Sequence, residues 1–276
     1  MPEPTDPLAD NLRTWEAWTK IHIGSDFYDV ASFRDGTRPI RLADYEIAEV
    51  GPVEGKTLLH LQCHFGLDTL SWARLGAQVT GADFSPEAIS QGTALAADLG
   101  IPASFLVSNV YELPDNLAGQ FDVVYTSRGV LGWLPEIRRW AKVVAHFVKP
   151  DGFFYITEAH PISMVFDEEN VQPGELRLAY PYWEHEEPIT FEVRGSYADR
   201  DAPTEGLTEH GWNHSMGEIV TALADAGLRI EFLHEFDFMG WEMGYLVRDH
   251  EGIWRLPAGQ NGKLPLFFSI RASKPA

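Results

Sequence analysis

Cysteine, basic residues and long apolar runs are all scarce in this chain. A single cysteine, Cys63, among 276 residues excludes an internal disulfide and suits a reducing compartment. Lys and Arg total 21 against 41 Asp and Glu. The formal net charge of -20 repels a phosphate backbone or an anionic membrane surface, so neither nucleic acid nor membrane is an expected partner. No uninterrupted apolar run is long enough to span a bilayer. The opening stretch, "MPEPTDPLADN", has neither the basic nor the apolar segment of a secretory signal. These absences lead us to expect an acidic, cytoplasmic globular protein, with its oligomeric state open.

What is present suits a large core. The chain is 45% hydrophobic and 12% aromatic, and its length fits one sizeable α/β domain with additions. From Thr57 onward, strand-like and helix-like segments alternate. "TLLHL" (Thr57–Leu61) reads as a strand and "DTLSWARLGA" as a helix closing at Gly76. "QVTGAD" (Gln78–Asp83) is a second strand. In the helix that follows, Ser85 is placed as N-cap, Pro86 at the first helical position and Gly100 at the stop. "ASFLVSN" and "FDVVYTS" (Phe121–Ser127) supply strands three and four, and helical spacing runs from Ile137 to Val148. "KPDG" then reads as a turn before a fifth strand, "FFYITEA". Such alternation predicts a doubly wound, mostly parallel sheet covered on both faces.

The alternation breaks twice. Residues 160–212 are rich in Pro, Glu, Tyr and Trp, with short alternating pieces such as "ITFEVRGSY". We expect an insertion with small antiparallel strands lying over the sheet edge. A second aromatic insertion, about 238–263, separates the last two strands, "RIEFLHEFD" and "LPLFFSIRA". Residues 1–50 look partly helical, which makes them a candidate lid over a main domain of residues 51–276.

The stretch "LLHLQCHFGLDTL" carries the chemistry. A strand, a tight loop and a helix place a ligand outside the carboxyl ends of a doubly wound sheet. Asp83, about twenty residues later at the end of the second strand, is positioned to accept hydrogen bonds from both hydroxyls of a ribose. A dinucleotide loop carries three glycines so that its backbone can approach a pyrophosphate. Here Gly66 is alone, and Gln62 and His64 stand where two glycines would be. That argues against an NAD-dependent oxidoreductase and for a phosphate-free, positively charged adenosine compound, which S-adenosylmethionine is. A non-catalytic module binding the same compound is a second alternative.

The segments "LLHLQCHFGLDTLSWARLGAQVTGADFSPEAI", "FDVVYTSRGVLGWLPEI" and "WNHSMGEIVTALADAGLRIEFLHE" resemble the class I S-adenosylmethionine-dependent methyltransferases, in particular a bacterial group of unassigned substrate. The resemblance covers most of the chain and implies a Rossmann-like, seven-stranded sheet. It also implies that Gln62, Cys63, His64 and Gly66 line the methionine moiety, that Asp83 and Phe84 meet the ribose, and that Asn109 and Val110 meet the adenine. Ser127, Arg128 and Gly129 would face the sulfonium and acceptor, with Asp68 a candidate for the ammonium. Trp15, Trp18, His22 and Tyr28 form an aromatic set near the N-terminus, which as a lid would bring Tyr28 to the cofactor. The expected acceptor is a small molecule; Trp183, Trp212, Trp241 and Trp254 suit an apolar or planar one.

Methyl transfer is an in-line displacement for which orientation and exclusion of water supply most of the acceleration. A base is needed when the nucleophile carries a proton. His160, in "TEAHP", and His214, in "GWNHSMGE", are the candidates. "YWEHEE" (182–187) reads as a solvated stretch, so no metal site is expected.

Overall fold

The computed structural model describes residues 6–169, 171–250 and 252–276. Helices α1 (Pro7–His22), α2 (Val30–Asp35) and α3 (Asp44–Val50) precede the sheet. Strand β1 (Thr57–Leu61), helix α4 (Leu67–Arg74), β2 (Gln78–Asp83), α5 (Pro86–Leu99) and β3 (Ala103–Val107) form the first half. The second half comprises α6 (Leu113–Asn116), β4 (Phe121–Ser127), α7 (Ile137–Phe147) and β5 (Val148–Ala159). Beyond it lie β6 (Ile189–Glu192), β7 (Thr208–Gly211), α8 (Met216–Asp225) and β8 (Arg229–Phe236). The short strands β9 (Phe238–Met239), β10 (Val247–Arg248) and β11 (Trp254–Arg255) lead into β12 (Phe267–Ser273).

Seven strands form one sheet in the order β3-β2-β1-β4-β5-β12-β8. The first five are mutually parallel, and β12 runs antiparallel to both β5 and β8. The order reverses between β1 and β4, so their carboxyl ends flank the crevice where such sheets bind ligands. Both faces are covered, which is why β4 carries adjacent apolar residues at its centre: Val123 packs with Trp72 and Tyr155, while Val124 packs with Trp140 and Phe154 on the other side. The α5 capping matches the reading above: Ser85 Oγ accepts from the Ala88 N–H at 3.0 Å, and Gly100 closes the helix at φ 62°.

"KPDG" does not precede β5 but lies inside it. The strand starts at Val148, and its register with β4 jumps between Phe121 and Val123. Asp151 is left-handed at φ 62°, so the turn residues make a bulge.

The first insertion also departs from expectation. Its β6–β7 hairpin lies against α1 and the loop after β4, above the carboxyl ends of the central strands and not over the sheet edge. Asn11 donates to the His210 carbonyl at 2.9 Å and accepts from the His210 N–H at 2.8 Å, so one amide side chain satisfies both backbone groups of an edge-strand residue. The Trp212 N–H donates to the Gly132 carbonyl at 2.8 Å. Helix α1 docks equally at α5, where Glu16 accepts from the Glu87 N–H at 3.0 Å and from the Ser85 hydroxyl.

Candidate functional site

The β1–α4 loop turns sharply. Gln62, His64 and Gly66 have φ of 56°, 51° and 77°. The loop therefore adopts left-handed turns of the kind glycine favours, with glycine at only one of the three. Non-glycine residues in this region cost about 1–2 kcal/mol each, so something must hold the loop. Asp83 does: Oδ2 accepts from the His64 N–H at 2.8 Å and Oδ1 from the Ser85 N–H at 3.0 Å. Burial nevertheless raises the Asp83 carboxyl to about 6, with the backbone donors of Ser85, His64 and Phe84 opposing the rise. Gly66 is required twice over, by its φ and because a Cβ there would lie 2.5 Å from the Phe105 ring. The Cys63 side chain points down into the same packing, since a Cβ on Gly81 would lie 2.8 Å from its Sγ. Burial and the nearby Asp83 push its thiol well above the ordinary range. Cys63 thus presents backbone to the crevice and a neutral thiol to the core.

Over this loop sits the aromatic set from α1 and the insertion. His22 Nδ1 and His64 Nε2 are 3.0 Å apart, the rings of Trp15 and His64 meet edge to face at 5.2 Å, and His22 stacks on Tyr28 at 5.1 Å. The Tyr28 and Tyr197 hydroxyls are hydrogen-bonded to each other. Burial lowers His22 to about 3, and burial together with His22 lowers His64 well below the usual imidazole range. The outer nitrogens of this pair, His22 Nε2 and His64 Nδ1, are buried without a hydrogen-bond partner.

At the carboxyl end of β4, Arg128 is left-handed at φ 45° and binds two carboxylates. Glu46 of α3, fully buried, receives its Nη2, while Asp68 of α4 lies 3.3 Å from its Nη1. The Ser127 hydroxyl donates to Asp68 at 3.0 Å and lies 3.2 Å from His60 Nε2. Burial holds His60 neutral, at about 4. Glu158, at the end of β5, organises the next turn by accepting from the backbone N–H groups of Gly129, Val130, Leu131 and Ala159 at 2.6–3.1 Å. Its carboxyl is raised by burial and lowered by those donors.

These groups surround one cavity of about 1370 Å³. Small-ligand sites commonly enclose roughly 300–1,000 Å³, so two ligands fit side by side. Gln62, Cys63, His64, Gly66, Asp83, Phe84, Asn109, Val110, Ser127 and Tyr28 all line it. Asn109 caps the turn after β3, its Oδ1 accepting from the Tyr111 N–H at 2.9 Å. His214 lines the cavity too, but His160 does not. The His160 ring is held elsewhere: Nδ1 accepts from the Ile162 N–H at 3.1 Å, and Nε2 is 2.9 Å from a Glu235 oxygen. Trp212, Trp241 and Trp254 line the cavity, whereas Trp183 is 70% exposed on the outside of the insertion. Sequence reasoning passed over Glu158, although a carboxylate ending an apolar strand, as in "FFYITEA", signals a buried acceptor. Nothing in the sequence pointed to Glu46 or Tyr197, whose partners lie 82 and 169 positions away.

A methyltransferase-domain family is matched over residues 59–154, from β1 into β5. The chain is 33% identical over 128 residues to a ubiquinone biosynthesis O-methyltransferase of Xanthomonas axonopodis pv. citri (strain 306), covering 46% of this chain and 52% of that protein. It spans about half the length of the curated relatives it matches. Among solved structures, an S-adenosylmethionine-dependent methyltransferase from Clostridium acetobutylicum ATCC 824 aligns with a TM-score of 0.57 at 13% identity, covering 95% of this chain and 100% of that one. The glycopeptide N-methyltransferase MtfA, complexed with S-adenosyl-L-methionine, aligns with a TM-score of 0.53 at 16% identity, covering 84% and 92%.

Proposed function

We propose that the chain, matched by a methyltransferase-domain family over residues 59–154 and folded with the class I strand order, transfers a methyl group from S-adenosylmethionine to a small-molecule acceptor by in-line displacement. The observation that carries this reading is Asp83. Its carboxylate ends β2 beside the cavity and accepts from the backbone N–H groups of His64 on Oδ2 and Ser85 on Oδ1, with that of Phe84 as a third donor. A carboxylate has about four acceptor directions, so at least one is left for a ribose hydroxyl. Gln62 and His64 line the cavity, and Gln62 Oε1 is a buried acceptor without a partner, which suits a ligand bearing N–H or O–H donors. Cys63 and Gly66 would meet the methionine moiety through backbone, Phe84 the ribose, and Asn109 and Val110 the adenine, with Ser127 nearest the reacting centre. Bound there, S-adenosylmethionine supplies an electrophilic methyl carbon.

The protein's own part is orientation and exclusion of water. Of the expected lid, residues 1–50, the first five lie outside the described residues; the rest would cover the site, since α1 reaches the cofactor loop through His22 and the α5 N-terminus through Glu16. The cavity volume supports an acceptor of small-molecule size, and the -20 charge disfavours nucleic acid. Among the described residues no helix is long and apolar enough to cross a membrane.

Calorimetry tests the cofactor: S-adenosylhomocysteine should bind in the micromolar range, roughly -8 kcal/mol, with no heat from NAD. Tighter binding of NAD would end this reading. Mass spectrometry of a metabolite extract incubated with protein and S-adenosylmethionine then identifies the methylated acceptor.

A further inference from the structure

On the insertion side of the cavity, one imidazole has one nitrogen committed and one free. His214 stands just before Ser215, the N-cap of α8, and is 3% exposed. Its Nε2 lies 2.6 Å from the Leu134 carbonyl oxygen. A carbonyl only accepts, so the ring proton of the neutral imidazole sits on Nε2 and Nδ1 carries a lone pair. That Nδ1 is buried and has no hydrogen-bond partner. A buried acceptor left unpaired is costly, and here it belongs to a residue lining the cavity beside Trp133 and Trp212.

We propose that His214 is the general base for methyl transfer and that the acceptor is a planar aromatic hydroxyl compound. This rests on the methyl-transfer reading of the cavity. The O–H bond of the acceptor breaks and its proton goes to Nδ1. The oxygen's freed electron pair forms the bond to the methyl carbon, and the pair of the carbon–sulfur bond stays on sulfur, which leaves as a neutral thioether. The imidazolium so formed keeps its Nε2–H bond to Leu134, and the Glu184 carboxylate favours the positive charge while His185 opposes it. Burial lowers the His214 pKa, so the ring is neutral and ready to accept. A neutral hydroxyl meets a neutral ring without burying charge on binding. An ammonium acceptor would instead bring a second cation beside the sulfonium. Trp212 and Trp241, both on the cavity wall, supply flat apolar surface for an aromatic ring.

4-Nitrophenol is the probe, because its neutral and ionised forms absorb at different wavelengths. Sinefungin, whose ammonium places a positive charge where the sulfonium would stand, fills the cofactor site. With sinefungin bound, wild-type protein should lower the apparent pKa of bound 4-nitrophenol by at least about one unit. In His214→Gln the side-chain amide can still donate to Leu134, but the base is gone. The ionisation constant of the bound probe should then fall at least about tenfold relative to wild type, with sinefungin affinity and melting temperature unchanged. Equal ionisation in the two proteins, or no binding of 4-nitrophenol to the sinefungin complex, overturns the assignment of His214 while leaving the cofactor reading intact. If wild-type protein does not bind sinefungin, both readings fall.

Discussion

His22 Nδ1 stands 3.0 Å from His64 Nε2, so one N–H···N bond joins the N-terminal helix to the loop after β1. The loop's other anchor is Asp83, which holds the backbone N–H of that same His64. His64 is therefore gripped from two sides, by His22 of α1 at its ring and by the candidate ribose ligand Asp83 at its backbone. Any ligand that orders Asp83 also orders the surface on which the lid rests. Under the proposed reading, this geometry would couple lid closure to cofactor binding through a single residue.

Acid should loosen the lid. The folded values of His22 and His64 lie below the ordinary 6.5, so their contribution to docking is full above pH 6.5 and is lost as pH falls below it. Each ring gives up about 1.4 kcal/mol per pH unit in that range. Hydrogen exchange in residues 7–35, corrected for the intrinsic rate, should quicken between pH 7.5 and 5.5. In His22→Leu the protection should be weaker at pH 7.5 and should change less with pH. Protection independent of pH in the wild type would contradict the neutral pair.

Asp83 should make cofactor affinity pH-dependent in the opposite sense to stability. Its folded value of about 6 exceeds the ordinary 3.8, so the empty protein takes up a proton on folding between those values and loses stability as pH rises through them. Ribose hydroxyls need the carboxylate, so S-adenosylhomocysteine affinity should fall by up to tenfold per unit as pH drops below 6. Asp83→Asn replaces one acceptor by a donor facing a backbone N–H. It should cost at least about tenfold in affinity, since a bond to a charged group contributes about 1.5–3 kcal/mol. Calorimetry at pH 5 and pH 8 on both proteins checks this; wild-type affinity flat across that range would place the ribose elsewhere.

The sheet was legible because its strands are short apolar runs between capped helices. Ser85, Pro86 and Gly100 mark α5 without any tertiary information, and Asp83 stands out as a carboxylate ending an apolar strand. The "KPDG" bulge was read as a turn because turn residues carry the same signal whether the chain reverses or merely kinks. His160 and His214 looked alike in sequence; only packing shows that Glu235 engages one while the other keeps a free nitrogen. The same limit hid Glu46 and Tyr197, because a partner many residues away leaves no local pattern. Trp183 was grouped with the cavity tryptophans by composition alone, which does not tell the inside of an insertion from its outside.

Gly66→Ala should cost about 2–5 kcal/mol, combining a left-handed alanine with a clash against Phe105, whose ring atoms would lie 2.5 and 2.6 Å from the new Cβ. Adding Phe105→Leu should relieve the clash and leave the backbone strain. The double variant should therefore unfold at higher urea than Gly66→Ala alone. If the second substitution only destabilises further, backbone conformation and not ring contact is what requires glycine.

Arg128 gives the sharpest test of what holds the crevice together. Its guanidinium neutralises Glu46, which is fully buried and also accepts from the Ala43 N–H and the Tyr125 hydroxyl, both at 2.7–2.8 Å. Burial raises the Glu46 carboxyl, and Arg128 pulls it back down. Arg128→Met keeps the length of the side chain and removes that counter-charge, so a carboxylate is left buried and uncompensated. Breaking a buried pair from one side costs about 3–5 kcal/mol, and urea unfolding at pH 8 should show a loss of that order. The deficit should shrink at pH 5. An acid whose folded value is raised is stabilised by protonation, and it loses stability as pH climbs through that value. Glu46→Gln in the Arg128→Met background removes the uncompensated charge: its amide oxygen takes the Ala43 N–H that Oε2 held, and the Tyr125 hydroxyl, which donates to Oε1, turns to accept from the amide NH2. The double variant should therefore be more stable at pH 8 than Arg128→Met. If it is less stable by the sum of the two single effects, Arg128 does not act through Glu46, and its second partner, Asp68 at 3.3 Å, would be what justifies its left-handed backbone.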